Sequence, residues 1–280
     1  MPINWKIAID YANLVNIAYS VDPQTPYTQK QYGAINAAGY NFLQPLYGDD
    51  IATETDPTLG RTVTIGFLAV SHASKELVAA IRGTEGVWEW IDDARFLMIP
   101  CPIAGAKGFT EDGFSTVYKS LRIGSDTGAT RAKDSINSYL EEGVASSVTV
   151  CGHSLGGALA TLLTLDVALN TTCTSPQSYT YASPRTGDHF FADAYNASVP
   201  GTYRVVNRKD LVPQLPPPLP LPYEHVNTLE ELTPAQGSIN PTIACMHILT
   251  TYLWLMGQLL PVPNPYQLNG CTPPPEKTTV

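Results

Sequence analysis

Residues 147–169 constrain this chain more than any other stretch. They run from a β-branched segment, Ser147-Val148-Thr149-Val150-Cys151, through Gly152-His153-Ser154-Leu155-Gly156, into Leu155–Leu169, which is apolar almost all round. A helix with apolar residues on every side is stable in water only when it is buried against a sheet. Strand, turn and helix thus follow one another at once, and the chain reads as α/β class. The two glycines leave room where strand and helix meet in a tight turn, so Ser154 can take a strained conformation that exposes its Oγ. An ordinary strand-to-helix turn is the alternative, but the pentapeptide lies between the two elements that a nucleophile elbow requires.

The other periodicities agree with a sheet flanked by helices. Trp5 to Ala18 carries apolar residues at helical spacing, and a long polar loop follows. Val63–Val70 and Glu76–Ile81 read as neighbouring strands, the second nearly all apolar and therefore central. Ser115–Leu121 and Ala132–Leu140 are predicted helices, Ser178–Ala182 and Tyr203–Val206 further strands, and Met246–Leu260 a last helix. Pro213–Pro222 predicts a stiff polyproline II loop, and the Pro-rich tail, residues 261–280, is expected to wrap the surface or be mobile. With 280 residues, 44% of them apolar and 15% charged, the composition supports one domain spanning residues 1–280.

The net charge of −9 disfavours nucleic acid and anionic bilayers as partners and suits an uncharged substrate. No run of apolar residues is long enough for a transmembrane segment, and no signal peptide is visible at the start, which leaves cytoplasmic and mature secreted forms both open. The five cysteines contain no C-x-x-C pair, so a zinc cage is not expected, and their odd number leaves at least one free thiol. Cys151, at the end of an apolar strand, reads as a small buried hydrophobe. Asn170-Thr171-Thr172 and Asn196-Ala197-Ser198 would permit glycans on a eukaryotic secretory route.

A serine hydroxyl is a poor nucleophile until a base takes its proton and a third group holds that base in the right tautomer. Where the serine sits on such an elbow, the acid and then the histidine follow it along the chain. Asp210 comes just after the strand Thr202-Tyr203-Arg204-Val205-Val206, on a loop at the carboxyl edge of the sheet. Both His225 and His247 satisfy the order. His247 is favoured because it lies at the last helix, whose N-terminus would disfavour an imidazolium. His153 adjoins the serine and cannot easily turn back onto it, and His72 and His189 break the order and read as surface residues. The N–H groups after Ser154, at a helix N-terminus, would face developing negative charge.

With these residues in view the chain resembles the fungal-type class 3 lipases, from about Gly66 to Leu255. Ala79-Ala80-Ile81-Arg82-Gly83-Thr84, followed by Trp90-Ile91-Asp92-Asp93, is similar to that family's R-G-[ST] turn and lid helix. Gly152–Ala158 matches its elbow, Ala182-Ser183-Pro184-Arg185-Thr186-Gly187 its proline-arginine loop, and Asp210-Leu211-Val212-Pro213 its acid loop. The resemblance implies an α/β-hydrolase fold, a central mostly parallel sheet flanked by helices with a lid over the active site. It implies a lipase that hydrolyses acylglycerol esters through Ser154, His247 and Asp210 and an acyl-enzyme, without a cofactor. It further implies that Thr84 and Leu155 form the oxyanion hole, that Asp93 braces the turn or caps the lid helix, and that Tyr223-Glu224-His225 is a non-catalytic histidine motif. Asp112 departs from the family by standing where a His often precedes Gly113-Phe114, and the cysteines do not match the usual disulfide positions.

Val87, Trp88, Trp90 and Ile91 make an apolar density unusual at the mouth of a polar site, as an amphipathic lid would, whereas Phe96–Ile99 read as a core strand. The expected partner is a lipid or ester at an oil–water interface, with no obligate protein partner. A feruloyl esterase or phospholipase A1 on the same scaffold is the first rival, and a non-catalytic binding protein the second.

Overall fold

The computed structural model describes residues 2–25, 27–49, 62–84, 96–124 and 128–273. The chain opens with α1 (Trp5–Tyr19), α2 (Gln29–Ala37), β1 (Tyr40–Asp49), β2 (Thr62–Ser71) and β3 (Glu76–Ile81). Then come β4 (Met98–Pro100), β5 (Phe109–Glu111), α3 (Asp112–Ser120), β6 (Arg122–Ile123), β7 (Thr130–Arg131) and α4 (Ala132–Glu141). The elbow region supplies β8 (Ser147–His153) and α5 (Leu155–Asn170), followed by β9 (Gln177–Tyr181), β10 (Gly187–Asp188), α6 (His189–Ser198) and β11 (Gly201–Asn207). The last elements are β12 (Tyr223–Glu224), β13 (Leu229–Leu232), α7 (Ile243–His247) and α8 (Leu249–Gly257).

Among the described residues a nine-stranded sheet runs β13-β11-β9-β8-β3-β2-β1-β6-β7, and a four-stranded sheet runs β12-β10-β5-β4. Every pair from β3 through β8, β9 and β11 to β13 is parallel, and the flank formed by β2, β1, β6 and β7 is antiparallel. Both faces are covered. Along β3, Leu77, Ala79 and Ile81 enter one core with α5, while Val78 and Ala80 enter the other with α1 and α8. That is the alternation a strand imposes, and it makes β3 apolar from Leu77 to Ile81. α5 is buried along nearly its whole length, as its composition predicts. Among the described residues no helix is long and apolar enough to cross a membrane.

The structure corrects several expectations. The supposed polar loop after α1 holds α2 and β1. α2 is polar on nearly all sides, burying only Gln31 and Ile35, and a capping box between Thr28 and Gln31 secures its start. β1 hides its period behind Pro45 and two register shifts against β2. Phe96–Ile99 is not a core strand: Leu97 is 54% exposed, and Met98 and Ile99 are half-buried on β4, an edge strand paired with β5 alone. Pro213–Pro222 does not extend as polyproline II. A 3-10 turn at Val212–Gln214 leads into a series of bends, because Arg185 draws in the chain through its backbone N–H to the Leu215 carbonyl and its guanidinium to those of Gln214 and Pro216.

The predicted last helix is broken at Ile248 into α7 and α8. His247 therefore closes the C-terminus of α7 rather than lying at a helix start. The tail wraps the surface as far as residue 273: Asn13 donates to the Tyr266 hydroxyl at 2.8 Å, Asn264 to the Trp254 carbonyl at 2.8 Å, and Cys271 is bonded to Cys245. The predicted lid residues Val87, Trp88, Trp90 and Ile91, and Asp93, lie outside the described residues.

The elbow glycines are set by backbone, not by flexibility. A Cβ on Gly156 would stand 2.4 Å from the Ile81 carbonyl oxygen and 2.6 Å from that of Arg82, and one on Gly152 would stand 2.0 Å from the Gly156 oxygen. Gly156→Ala is expected to destabilise the fold by about 1–3 kcal/mol, as overpacking does, and to lower Tm by several degrees while displacing Ser154. A thermal melt together with ester turnover checks this, and an unchanged melt would show that β3 can yield.

Candidate active site

Ser154 has φ +58° and ψ −129°, a conformation that non-glycine residues rarely hold unless their surroundings impose it. Its N–H donates to the Tyr181 carbonyl at 2.9 Å, and its own carbonyl accepts from Gly157 at 2.8 Å, so the strain is fixed by β9 on one side and α5 on the other. The structure brings Ser154, His247 and Asp210 together. Ser154 Oγ lies 2.9 Å from His247 Nε2, and His247 Nδ1 lies 2.8 Å from Asp210 Oδ2. A carboxylate can only accept, so Nδ1 carries the proton and Nε2 is left as the acceptor facing the serine hydroxyl.

Asp210 follows β11 on a turn in which its N–H donates to the Asn207 carbonyl at 2.9 Å. Its carboxylate is buried and accepts from three donors: His247, the Tyr252 hydroxyl at 2.7 Å on Oδ2, and the Val212 N–H at 3.0 Å on Oδ1. Asn207 donates from Nδ2 to the Met246 carbonyl at 2.8 Å, tying the acid's strand to the helix that carries the base. Neither Tyr252 nor Asn207 was picked out from the sequence. Their signals were faint: a tyrosine five residues beyond the base, and an amide three residues ahead of the acid.

His225 lies elsewhere. Its Nε2–H donates to the Pro213 carbonyl at 2.6 Å, which staples β12 to the loop carrying Asp210. Burial, reinforced by the nearby Arg204 charge, pushes its pKa down to about 3. His153 is also buried, and burial, then the neighbouring His247, hold it well below the usual histidine range. His72 and His189 are exposed.

Thr84, half-buried, and Leu155, the first residue of α5, line one small cleft with Gly83 and Leu159. Leu155 opens α5, where the first N–H groups of a helix have no partner within it. Gly83 is required at this turn, since a Cβ there would meet the Tyr19 hydroxyl at 2.7 Å and Ser154 Cβ at 2.9 Å. Arg82 holds the turn from below, with Nη1 donating to the Gly83 carbonyl at 2.7 Å and Nε to that of Thr64 at 3.2 Å. Of the cysteines, Cys245 and Cys271 form a disulfide two residues from His247, and Cys101, Cys151 and Cys173 are free. Burial pushes the Cys151 thiol well above its ordinary range, consistent with the inert hydrophobe expected of it.

A family model described as lipase (class 3) matches residues 78–219. The secreted mono- and diacylglycerol lipase 1 of Fusarium solani is 31% identical over 169 residues, covering 60% of this chain and 48% of that protein. Phospholipase A1-II 7 of Oryza sativa subsp. indica is 34% identical over 172 residues, covering 51% and 42%. The chain thus spans about half the length of the curated relatives it matches. Among solved structures, a mutant form of MDLA from Penicillium cyclopium superposes with a TM-score of 0.58 at 28% identity, over 83% of this chain and 79% of that one. The α/β-hydrolase fold expected from the sequence is the fold of these neighbours.

Two outcomes are expected at this site. Asp210→Asn keeps the shape but supplies a donor where His247 needs an acceptor, so kcat for an ester should fall by about 10⁴-fold while His225→Ala has a far smaller effect; a reversed ranking would move the base to His225. The second concerns acid stability. His225 titrates near 6.5 in the unfolded chain and near 3 in the folded one, so the unfolded state takes up the extra proton as pH falls. Its contribution is complete above about pH 6.5 and is lost progressively down to about pH 3. His225→Asn should flatten the acid limb of a Tm-against-pH curve across that window.

Proposed function

We propose, from the premise that this chain belongs to the class 3 lipase family, that it is a carboxylic ester hydrolase working through Ser154, His247 and Asp210. The observation that carries the reading is the unbroken hydrogen-bond line from Ser154 Oγ through His247 to a carboxylate held by three donors. Ser154 Oγ attacks the ester carbonyl as His247 Nε2 takes its proton, and Asp210 stabilises the imidazolium so formed. The backbone N–H groups of Thr84 and Leu155, with the Thr84 hydroxyl, receive the negative oxygen of the tetrahedral intermediate. His247 then returns its proton to the leaving alcohol. Water repeats the cycle on the acyl-enzyme, releasing the acid and restoring the serine.

The preferred substrates are acylglycerols, and triacylglycerol is the finer assignment we favour. Phospholipase A1 activity is the second reading, favoured by the rice relatives that carry that name. A secreted setting suits the disulfide between Cys245 and Cys271, since such bonds persist in oxidising compartments. The apolar segment Val87–Ile91 acts as an interfacial lid in this proposal.

The test is an activity scan across acyl lengths and phospholipids, with and without an emulsion, alongside fluorophosphonate labelling. Ser154→Ala should lose labelling and nearly all turnover while the melt stays unchanged; near wild-type turnover would refute the nucleophile. Hydrolysis of a medium-chain ester should rise sharply as it passes its solubility limit, and Trp88→Ser should blunt that rise more than it alters turnover of a soluble short ester. A hyperbolic curve through the limit would make the protein an esterase without an interfacial lid.

A further inference from the structure

Tyr19 is the last residue of α1, far from the nucleophile in sequence, yet its hydroxyl stands between two parts of the site. The Gly83 N–H donates to Tyr19 Oη at 2.8 Å, and Tyr19 Oη lies 2.8 Å from His153 Nδ1. On the other edge of the same imidazole, His153 Nε2 lies 2.8 Å from the carbonyl oxygen of His247. The directions of these bonds follow from the atoms. A carbonyl oxygen only accepts, so His153 Nε2 carries the proton, and in a neutral ring Nδ1 is then a lone pair. Tyr19 must donate to it while accepting from Gly83. The line therefore runs one way: Gly83 N–H to Tyr19, Tyr19 to His153, His153 to the His247 backbone.

The ends of this line are the turn that bears Thr84 and the residue that bears the base, and its middle is the residue before Ser154. We propose that Tyr19 and His153 are positioning residues: a hydrogen-bonded brace that sets the spacing between the oxyanion-binding turn, the nucleophile and His247. This rests on the ester-hydrolase reading above. Arg82 grips the Gly83 carbonyl from below, whereas the brace is what couples that turn to the elbow and to the base. Donors aimed at a developing oxyanion act only over a narrow range of distance, and the oxygen reaches its place in the transition state, not in bound substrate. Loss of the brace therefore weakens transition-state binding more than substrate binding. The His247 carbonyl accepts from His153 where α7 ends and the chain turns at Ile248. Burial keeps His153 uncharged, so no positive charge stands beside the imidazolium that His247 becomes, 4.8 Å away between ring centres.

The test uses the full chain and a soluble short-chain p-nitrophenyl ester, so that no interface intervenes, with competent sites counted by fluorophosphonate titration. Tyr19→Phe keeps the ring and removes the hydroxyl. Its kcat per titrated site should fall on the order of 10-fold or more with KM within about 2-fold, less than the loss from deleting an oxyanion donor outright. A trifluoromethyl ketone, which Ser154 Oγ attacks to give a tetrahedral adduct, should bind more weakly by the same factor as kcat/KM. His153→Gln gives a second variant, and because the two residues act as one unit, Tyr19→Phe combined with His153→Gln should be little worse than the worse single change. If Tyr19→Phe keeps kcat per site and ketone affinity, or loses only Tm and titratable sites, the brace is mere packing and the proposal is overturned. If wild-type protein neither hydrolyses the ester nor takes the probe, the ester-hydrolase reading fails and takes the brace with it.

Discussion

The approach of α5 to the strands β3 and β8 is the constraint on which the rest of the site depends. Gly152 and Gly156 let backbone touch backbone there, and Ser154 between them holds a positive φ with its Oγ against His247 Nε2. A strained residue persists only when its surroundings over-determine it. Here they do, through the bonds to Tyr181 and Gly157 and through the thoroughly apolar body of α5, which cannot tilt away from the sheet without exposing its side chains to water. The same placement puts the start of α5, with N–H groups that have no partner within the helix, beside the turn that carries Thr84. The strain at Ser154 and the placing of the α5 start beside the Thr84 turn are thus two consequences of one packing distance.

Acid and base come from separate segments and are joined by bonds that bypass the serine. β11 delivers Asp210, Asn207 links that strand to Met246 at the end of α7, and Tyr252 on α8 reaches back to the carboxylate. Below the acid, Arg185 and His225 take up the carbonyls of Gln214, Pro216 and Pro213, so the proline-rich loop is folded against the site instead of extending from it. The disulfide anchors α7 to the tail. Each segment is therefore fixed at more than one point.

What could be read from the sequence follows from where the periodicity is strong. β3, β8 and α5 are buried on both faces, and their apolar runs announce them. α2 and β1 were missed because one is polar nearly all round and the other carries a proline and irregular pairing; their stability comes from caps and neighbours, which a pattern of apolar spacing does not register. The acid, the base and the serine were legible because their order along the chain is a topological matter. Their supports were not. Nothing in the run Gly152-His153-Ser154 says that the histidine is locked between Tyr19 and a carbonyl 94 residues away, since that depends on how α1 crosses the sheet. The break at Ile248 was hidden as well, because the apolar spacing of Met246–Leu260 runs on through it.

The supports around the triad differ in kind from the charged contacts on the surface. Ion pairs such as Lys6–Asp10 and Arg208–Glu231 join side chains that are largely exposed, where solvent and salt weaken them. Among the described residues the bonds around Ser154 run between hydroxyls, amides, imidazoles, backbone and the Asp210 carboxylate, and Ser154, His153, His247 and Asp210 are buried. Hydrogen bonds between neutral groups hold direction without adding a charge to the site. Asp210, held by three donors, is the anion that answers the imidazolium. A net charge of −9 spread over the surface and a site organised by neutral donors are compatible for that reason, and both suit a substrate that arrives uncharged and acquires its negative oxygen only in the transition state.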